Sequence, residues 1–280
     1  LLVGVRSCRR DLHRDQRPLM IIRLVTMRLS QFDKQIIKPD ELEKLFELNP
    51  NKKESLQPIG NTDKKCLIVE DVLLNPYDVR DFLLTSAYIA GTNNLVEEKT
   101  GAPGMQQPIA NQWVKPFAQY ERELLWHHNI CRKPIAWQDF SFYCNVFWPK
   151  MKANDSTYRP HVDPGEFAFN YFLSDDLNDD DGTAIYSMEI EGERWMDIRD
   201  MERRGRGAPH AETVSNMMQE KRVGAGKFDT WQRFEGDDMY KLEGVVPARF
   251  NCISAYSRSA FHSAYYNPDG YPEDHVRYSL

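Results

Sequence analysis

His161 and Asp163 stand one residue apart in the stretch Arg159-Pro160-His161-Val162-Asp163-Pro164. In an extended strand, residues i and i+2 point to the same face, so the imidazole and the carboxylate lie side by side. Such a pair supplies two thirds of a facial two-His, one-carboxylate site, the donor set that suits non-haem iron(II). His-x-Asp by itself carries little weight, because seven His and 23 Asp in 280 residues make one chance occurrence unsurprising. The prolines add weight: proline is tolerated at strand starts and edges rather than in central ladders, which places the pair at the mouth of a sheet. The competing reading is a surface His–Asp hydrogen bond.

Two further groups could complete a site. His262 lies in Phe261-His262-Ser263, within a hydrophobic, β-prone stretch where a single His is more often a satisfied core residue. In Arg277-Tyr278-Ser279, alternation puts Arg277 and Ser279 on one strand face and Val276, Tyr278 and Leu280 on the other. An inward Arg must find an anion, since an unpaired buried charge is costly. A dicarboxylate would meet that need through a bidentate fork from Arg277 and a hydroxyl from Ser279. Arg-x-Ser also occurs at Arg28-Leu29-Ser30, so it too is weak in isolation. His275 is a rival third ligand. His127-His128 is not a metal pair, because neighbours on a helix point about 100° apart; a solvated or capping role is expected. His210 falls in a charged segment and is expected at the surface.

These groups need a scaffold. Pro39–Leu48 reads as a short helix, 66–74 as a strand, and Asn75-Pro76 opens a helix running to Tyr88. Residues 91–112, rich in Gly, Pro, Asn and Gln, read as a loop, and 116–130 as a helix. From Trp137 the texture becomes aromatic and β-prone, with strands expected at 140–148, 166–173 and 183–188. The acidic run Asp175–Gly182 offers no register that fits a calcium loop and reads as a solvated hairpin turn ending in Asp-Gly. Residues 189–247 are charged and carry the pairs Gly205/Gly207 and Gly224/Gly226, neither in a phosphate-binding context. That segment reads as an insertion or lid. Strands resume at 248–256, 260–266 and 275–280. Many short strands with turn signals between them predict a mainly β sandwich or jelly roll with flanking helices.

Bulk properties bound the function. A net charge of −6 argues against generic nucleic-acid or anionic-membrane binding. No apolar run approaches the roughly 18–20 residues of a spanning helix. Cys8, Cys66, Cys131, Cys144 and Cys252 are odd in number, with no C-x-x-C spacing, and read as free thiols of a reducing, cytoplasmic compartment. Residues 1–28 hold seven Arg, no Lys and two acids, so the head carries +5 and the remainder −11. A transit peptide, a basic arm, or sequence upstream of an initiator at Met27 or Met20 would each explain this, and the last is favoured. Arg23 breaks the Leu19–Val25 apolar run and argues against a secretory signal. The expected organisation is a leader over 1–26, an α/β support region over 27–136, and a jelly-roll core over 137–280 with its insertion at about 189–247. The last core strand is expected to run on past Leu280.

The order His-x-Asp … His … Arg-x-Ser resembles the iron(II)- and 2-oxoglutarate-dependent dioxygenases, particularly their prolyl-hydroxylase-like branch. Tyr158–Asp163 looks like that branch's Tyr-x-Pro-His-x-Asp. Leu173-Ser174-Asp175-Asp176 … Asp181-Gly182-Thr183-Ala184-Ile185-Tyr186 looks like its hairpin, with Asp181 in place of the first Gly, and Arg277–Leu280 looks like its last core strand. The chain also resembles uncharacterised proteins of this type in the pattern Arg249-Phe250-Asn251 … Tyr256 … Phe261-His262-Ser263. The resemblance implies a double-stranded β-helix with Fe(II) on His161, Asp163 and His262. It implies 2-oxoglutarate gripped by Arg277 and Ser279, with ascorbate a further candidate. The implied reaction hydroxylates an unactivated C–H of a peptide residue or small metabolite, converting 2-oxoglutarate and O2 to succinate and CO2. A carboxylate at 163 leaves no room for a halide, so hydroxylation is preferred to halogenation. Tyr143, on the strand before the motif, is a candidate hydrogen-bond donor to the co-substrate or a core aromatic. The alternatives are an inactive jelly-roll binding or structural module, and a cupin-like metalloenzyme that does not use 2-oxoglutarate.

Overall fold

The computed structural model of the chain describes residues 44–89, 104–109, 114–128, 130, 135–147, 160–163, 166–190, 192–204, 234–266, 271 and 277–280; within these, residues 84–89, 104–109, 137, 144, 146, 147, 202 and 277 are described by their backbone alone. The expected leader, His210, His275 and both glycine pairs lie outside the described residues. Contacts gather residues 42–280 into one compact unit.

The described residues are mainly β. The strands are β1 (Lys53–Pro58), β2 (Lys65–Glu70), β3 (Gly104–Ile109), β4 (Phe142–Phe147), β5 (Phe167–Phe172), β6 (Gly182–Ile190), β7 (Glu193–Trp195), β8 (Tyr240–Pro247), β9 (Cys252–Ser257), β10 (Phe261–Tyr265) and β11 (Arg277–Ser279). The helices are α1 (Pro76–Ile89), α2 (Lys115–His127) and α3 (Ile198–Arg203). Seven strands form one sheet in the order β1-β2-β9-β5-β11-β4-β3, and a second sheet holds β10, β6, β7 and β8. All pairings are antiparallel.

Alternation along the strands sorts side chains into three apolar layers. Tyr171, Ile253, Ala255 and Leu280 leave the seven-stranded sheet outward and pack with Val79 and Leu83 of α1 and Phe117 and Leu124 of α2. Cys66, Ile68, Ile185, Val246, Cys252 and Tyr256 fill the space between the sheets. Ala184, Tyr186, Met188 and Phe261 leave the second sheet outward to meet Trp195, Met201 and Tyr240. At one margin the sheets touch backbone to backbone: Gly60, at φ +55°, abuts Gly244 so closely that a Cβ on Gly60 would fall on the Glu243 carbonyl.

Several expectations hold. The 66–74 strand, the Asn75-Pro76 helix start, the 116–130 helix and the 140–148 and 166–173 strands are present within a residue or a few of the expected limits. Of the helix expected over 39–48, the described part is helical only at 44–45: Phe46 lies in a turn, buried in the first core, and Leu48 forms a bridge with Leu73 instead. Cys66 and Cys252 are buried free thiols, pushed up to about 11 and about 12 by burial.

Four expectations need correction. Residues 104–109, expected as loop, form β3, whose Pro108 is accommodated because β3 is the sheet's outer strand. The segment 189–247 is not all insertion: β6 runs to Ile190, and β7 and β8 pair with it. Charge hid β8, since Lys241 and Glu243 interrupt its apolar residues. The 27–136 region is built into the core rather than set beside it, because β2 pairs with β9 and β3 with β4. The acidic turn is not wholly solvated: Asp181 is buried and accepts a hydrogen bond from the Tyr271 hydroxyl.

Candidate metal centre

Residues 160–163 run as a strand-like edge beside β10. His161 and His262 face each other, each backbone N–H donating to the other's carbonyl at 2.9 Å. Directly opposed residues in an antiparallel pair present their side chains on one face, and the two imidazole centroids are 4.6 Å apart. Asp163 sits on that face as the i+2 neighbour, fixed by its backbone N–H to the Arg258 carbonyl at 3.0 Å.

One donor atom from each of His161, Asp163 and His262 lies within 4.8 Å of the other two. Nε2 of His262 is 3.3 Å from Asp163 Oδ2, and Nε2 of His161 is 3.7 Å from Oδ1. Charge-assisted N–H···O bonds cluster at about 2.7–2.9 Å, so both contacts are long for that purpose. Ligands set at right angles around one ion, each about 2.1 Å from it, stand about 3 Å apart, somewhat closer than the observed contacts. His262 is buried, and its Nδ1 lies 2.9 Å from the Ala260 carbonyl. A proton on Nδ1 satisfies that carbonyl and leaves the Nε2 lone pair facing Asp163, the usual arrangement of a metal-ligating histidine. Burial alone would raise the Asp163 carboxyl. When the imidazoles are protonated, His262, His161 and Arg258 together outweigh it and hold the carboxyl well below the usual carboxylate range.

A cavity of about 510 Å³ opens beside Asp163. Its walls include Tyr143 and Asn145 of β4, Asn170 of β5, Tyr256 of β9, Arg258, and Glu121 of α2. Asn170 Nδ2 reaches Thr183 Oγ1 at 3.3 Å and the Tyr256 hydroxyl at 3.4 Å, while the Tyr256 ring meets His262 edge-on at 5.2 Å. These residues make a polar lining next to the triad.

The structure therefore gathers His161, Asp163 and His262. Ser279 lies in β11 opposite Asn145 and Phe172. Its neighbours Tyr278 and Leu280 turn to the helical layer, which leaves Ser279 on the sheet's inner side. Arg277 occupies β11 opposite Phe147, and its side chain lies outside the described residues. Tyr143 is exposed and lines the cavity, so it is not a core aromatic. His127 and His128 are no part of the site: His128 caps α2 and pairs with Glu54 at 3.1 Å. Asn170, Thr183 and Arg258 escaped the sequence reading. The signal available for Asn170 is a polar residue amid Phe-Ala-Phe-Asn-Tyr-Phe, at an inward position.

Fold and site together define a mainly β protein of two antiparallel sheets carrying a His/Asp/His cluster beside a polar cavity. The chain belongs to a family of unknown function (DUF6445), whose model matches residues 50–277. No curated protein matches it.

Proposed function

We propose that the protein is a non-haem Fe(II)- and 2-oxoglutarate-dependent dioxygenase that hydroxylates an unactivated C–H of a small metabolite or peptide residue. The observation that carries this reading is the triad: two imidazoles and one carboxylate converge from two adjacent strands, with one donor atom of each within 4.8 Å of the other two. The strand order supports it. Strands β4-β11-β5-β9 in one sheet, with residues 160–163, β10, β6 and β8 in the other, stand in the order that a double-stranded β-helix would need. Position 279, inward on β11, and position 277 two residues before it, suit a carboxylate clamp.

In this reading His161, Asp163 and His262 hold the iron. Bound iron and 2-oxoglutarate supply the oxidising chemistry, with 2-oxoglutarate and O2 consumed and succinate, CO2 and a hydroxylated product released. The chain's own residues orient and exclude. The Ala260 carbonyl fixes the His262 ring, Asn170 and Tyr256 line the space beside the ion, and Arg277 with Ser279 takes the distal carboxylate.

The test is an anaerobic titration with Fe(II) and 2-oxoglutarate, monitored for the metal-to-ligand charge-transfer band. A band in the wild type that is lost in Asp163→Ala is expected. A wild type without the band, or an Asp163→Ala variant that keeps it, would sink the proposal.

A further inference from the structure

Arg258 lies in the turn between β9 and β10, 95 residues from Asp163 in sequence, yet its backbone is bonded to Asp163 and to Glu166 three residues on. Its carbonyl accepts the Asp163 N–H at 3.0 Å, and its own N–H donates to the Glu166 carbonyl at 3.1 Å. Its guanidinium turns back to the same carboxylate, with Nη2 3.4 Å from Asp163 Oδ2. Nε, which shares the Nη2 edge of the planar fork, is buried and has no hydrogen-bond partner. One edge of a guanidinium is thus presented to one carboxylate, with one long contact made and one donor in reserve.

We propose that Arg258 is a positioning residue for Asp163: its Nε/Nη2 edge steadies the carboxylate that the two imidazoles face. The proposal rests on the metal-centre reading above. Three features favour it over a role in gripping an anionic substrate. The backbone of Arg258 is bonded to Asp163 itself and to Glu166. The Nη2 contact is already made. The unpartnered donor lies along that same edge and not on the opposite side of the fork. Metal-ligating carboxylates are themselves commonly hydrogen-bonded, and loss of such a partner typically weakens metal binding by about 10–100-fold. Methionine keeps much of the stem's volume without a donor, and lysine restores the charge without the fork.

The experiment is titration of the full chain with Co(II), a visible-absorbing stand-in for Fe(II), in wild type, Arg258→Met, Arg258→Lys and His262→Ala. Thermal unfolding of each metal-free protein is followed in parallel. Expected are a 10–100-fold weakening and an altered Co(II) band in Arg258→Met, partial recovery in Arg258→Lys, and metal-free melting close to wild type in both. Co(II) affinity in Arg258→Met within twofold of wild type, with an unchanged band, overturns the Arg258 assignment while the metal centre stands. Equal melting losses in both Arg258 variants with no change in the band would make its role structural. A wild type that binds Co(II) no better than His262→Ala removes the metal centre itself, and this assignment with it.

Discussion

His161 and His262 are joined by two backbone hydrogen bonds of 2.9 Å, each residue donating to the other, so their imidazoles are set on one face by the ladder itself. The two rings owe their proximity to main-chain pairing, and either can be removed without dismantling the other's support. His262→Ala and His161→Ala should each abolish Co(II) binding. Their far-ultraviolet circular dichroism should match wild type. Retained tight binding in either variant would contradict the triad.

The clamp residues should separate from the ligands in their effects. Arg277→Ala is expected to raise the 2-oxoglutarate requirement about 100-fold, and Ser279→Ala about 10-fold, the scale of a lost charged and a lost neutral hydrogen bond respectively. Binding of Co(II) without 2-oxoglutarate should be unchanged in both. Succinate formation across a 2-oxoglutarate series measures the first effect, and Co(II) titration the second.

Glu121 of α2 gives a pH dependence with a definite sign. It is buried in the cavity wall with Oε2 unpartnered, and burial pushes its carboxyl well above the usual range. In the unfolded chain it ionises near pH 4.3. Above that pH the unfolded state loses a proton that the folded state keeps, so stability falls as pH rises toward the folded value. Glu121→Gln removes this term. At pH 7.5 it should stabilise by about 1–3 kcal/mol, with the gain vanishing near pH 4. Urea unfolding at a series of pH values checks both the size and the slope.

Asn251 should prove structural. It adopts φ +55°, and its side chain accepts from the Leu73 N–H at 3.0 Å and the Tyr171 hydroxyl at 2.9 Å while donating to the Leu73 carbonyl at 2.9 Å. Asn251→Ala strands these groups and places alanine in a left-handed conformation, at an expected cost of about 3–5 kcal/mol. Urea unfolding would reveal it, and Co(II) affinity of the folded fraction should not change.

The parts of the site legible in the sequence were those set by short-range geometry. His161 and Asp163 obey the period of two, and the prolines and aromatic runs marked where strands begin. His262 was reachable through its place in the order of motifs. Long-range pairing was not legible. Lys-Leu-Glu-Gly-Val-Val-Pro reads as charged loop until β6 supplies its partner, and Gly104–Ile109 reads as loop until it becomes an outer strand beside β4. Arg258 carried no local signal, because its meaning lies in a contact spanning 95 residues. Asn251 stood in a quoted pattern but bears on Leu73 and Tyr171, which spacing could not show.

Across the second sheet, Gly244 pairs with Ile185, Ile185 with His262, and His262 with His161, so a single transverse rung joins all four. One end of the rung is the glycine pressed on Gly60, where the two sheets leave no room for a methyl group. The other end carries the imidazoles. The glycine contact holds one end of this rung against the other sheet, and the candidate ligands stand at its opposite end.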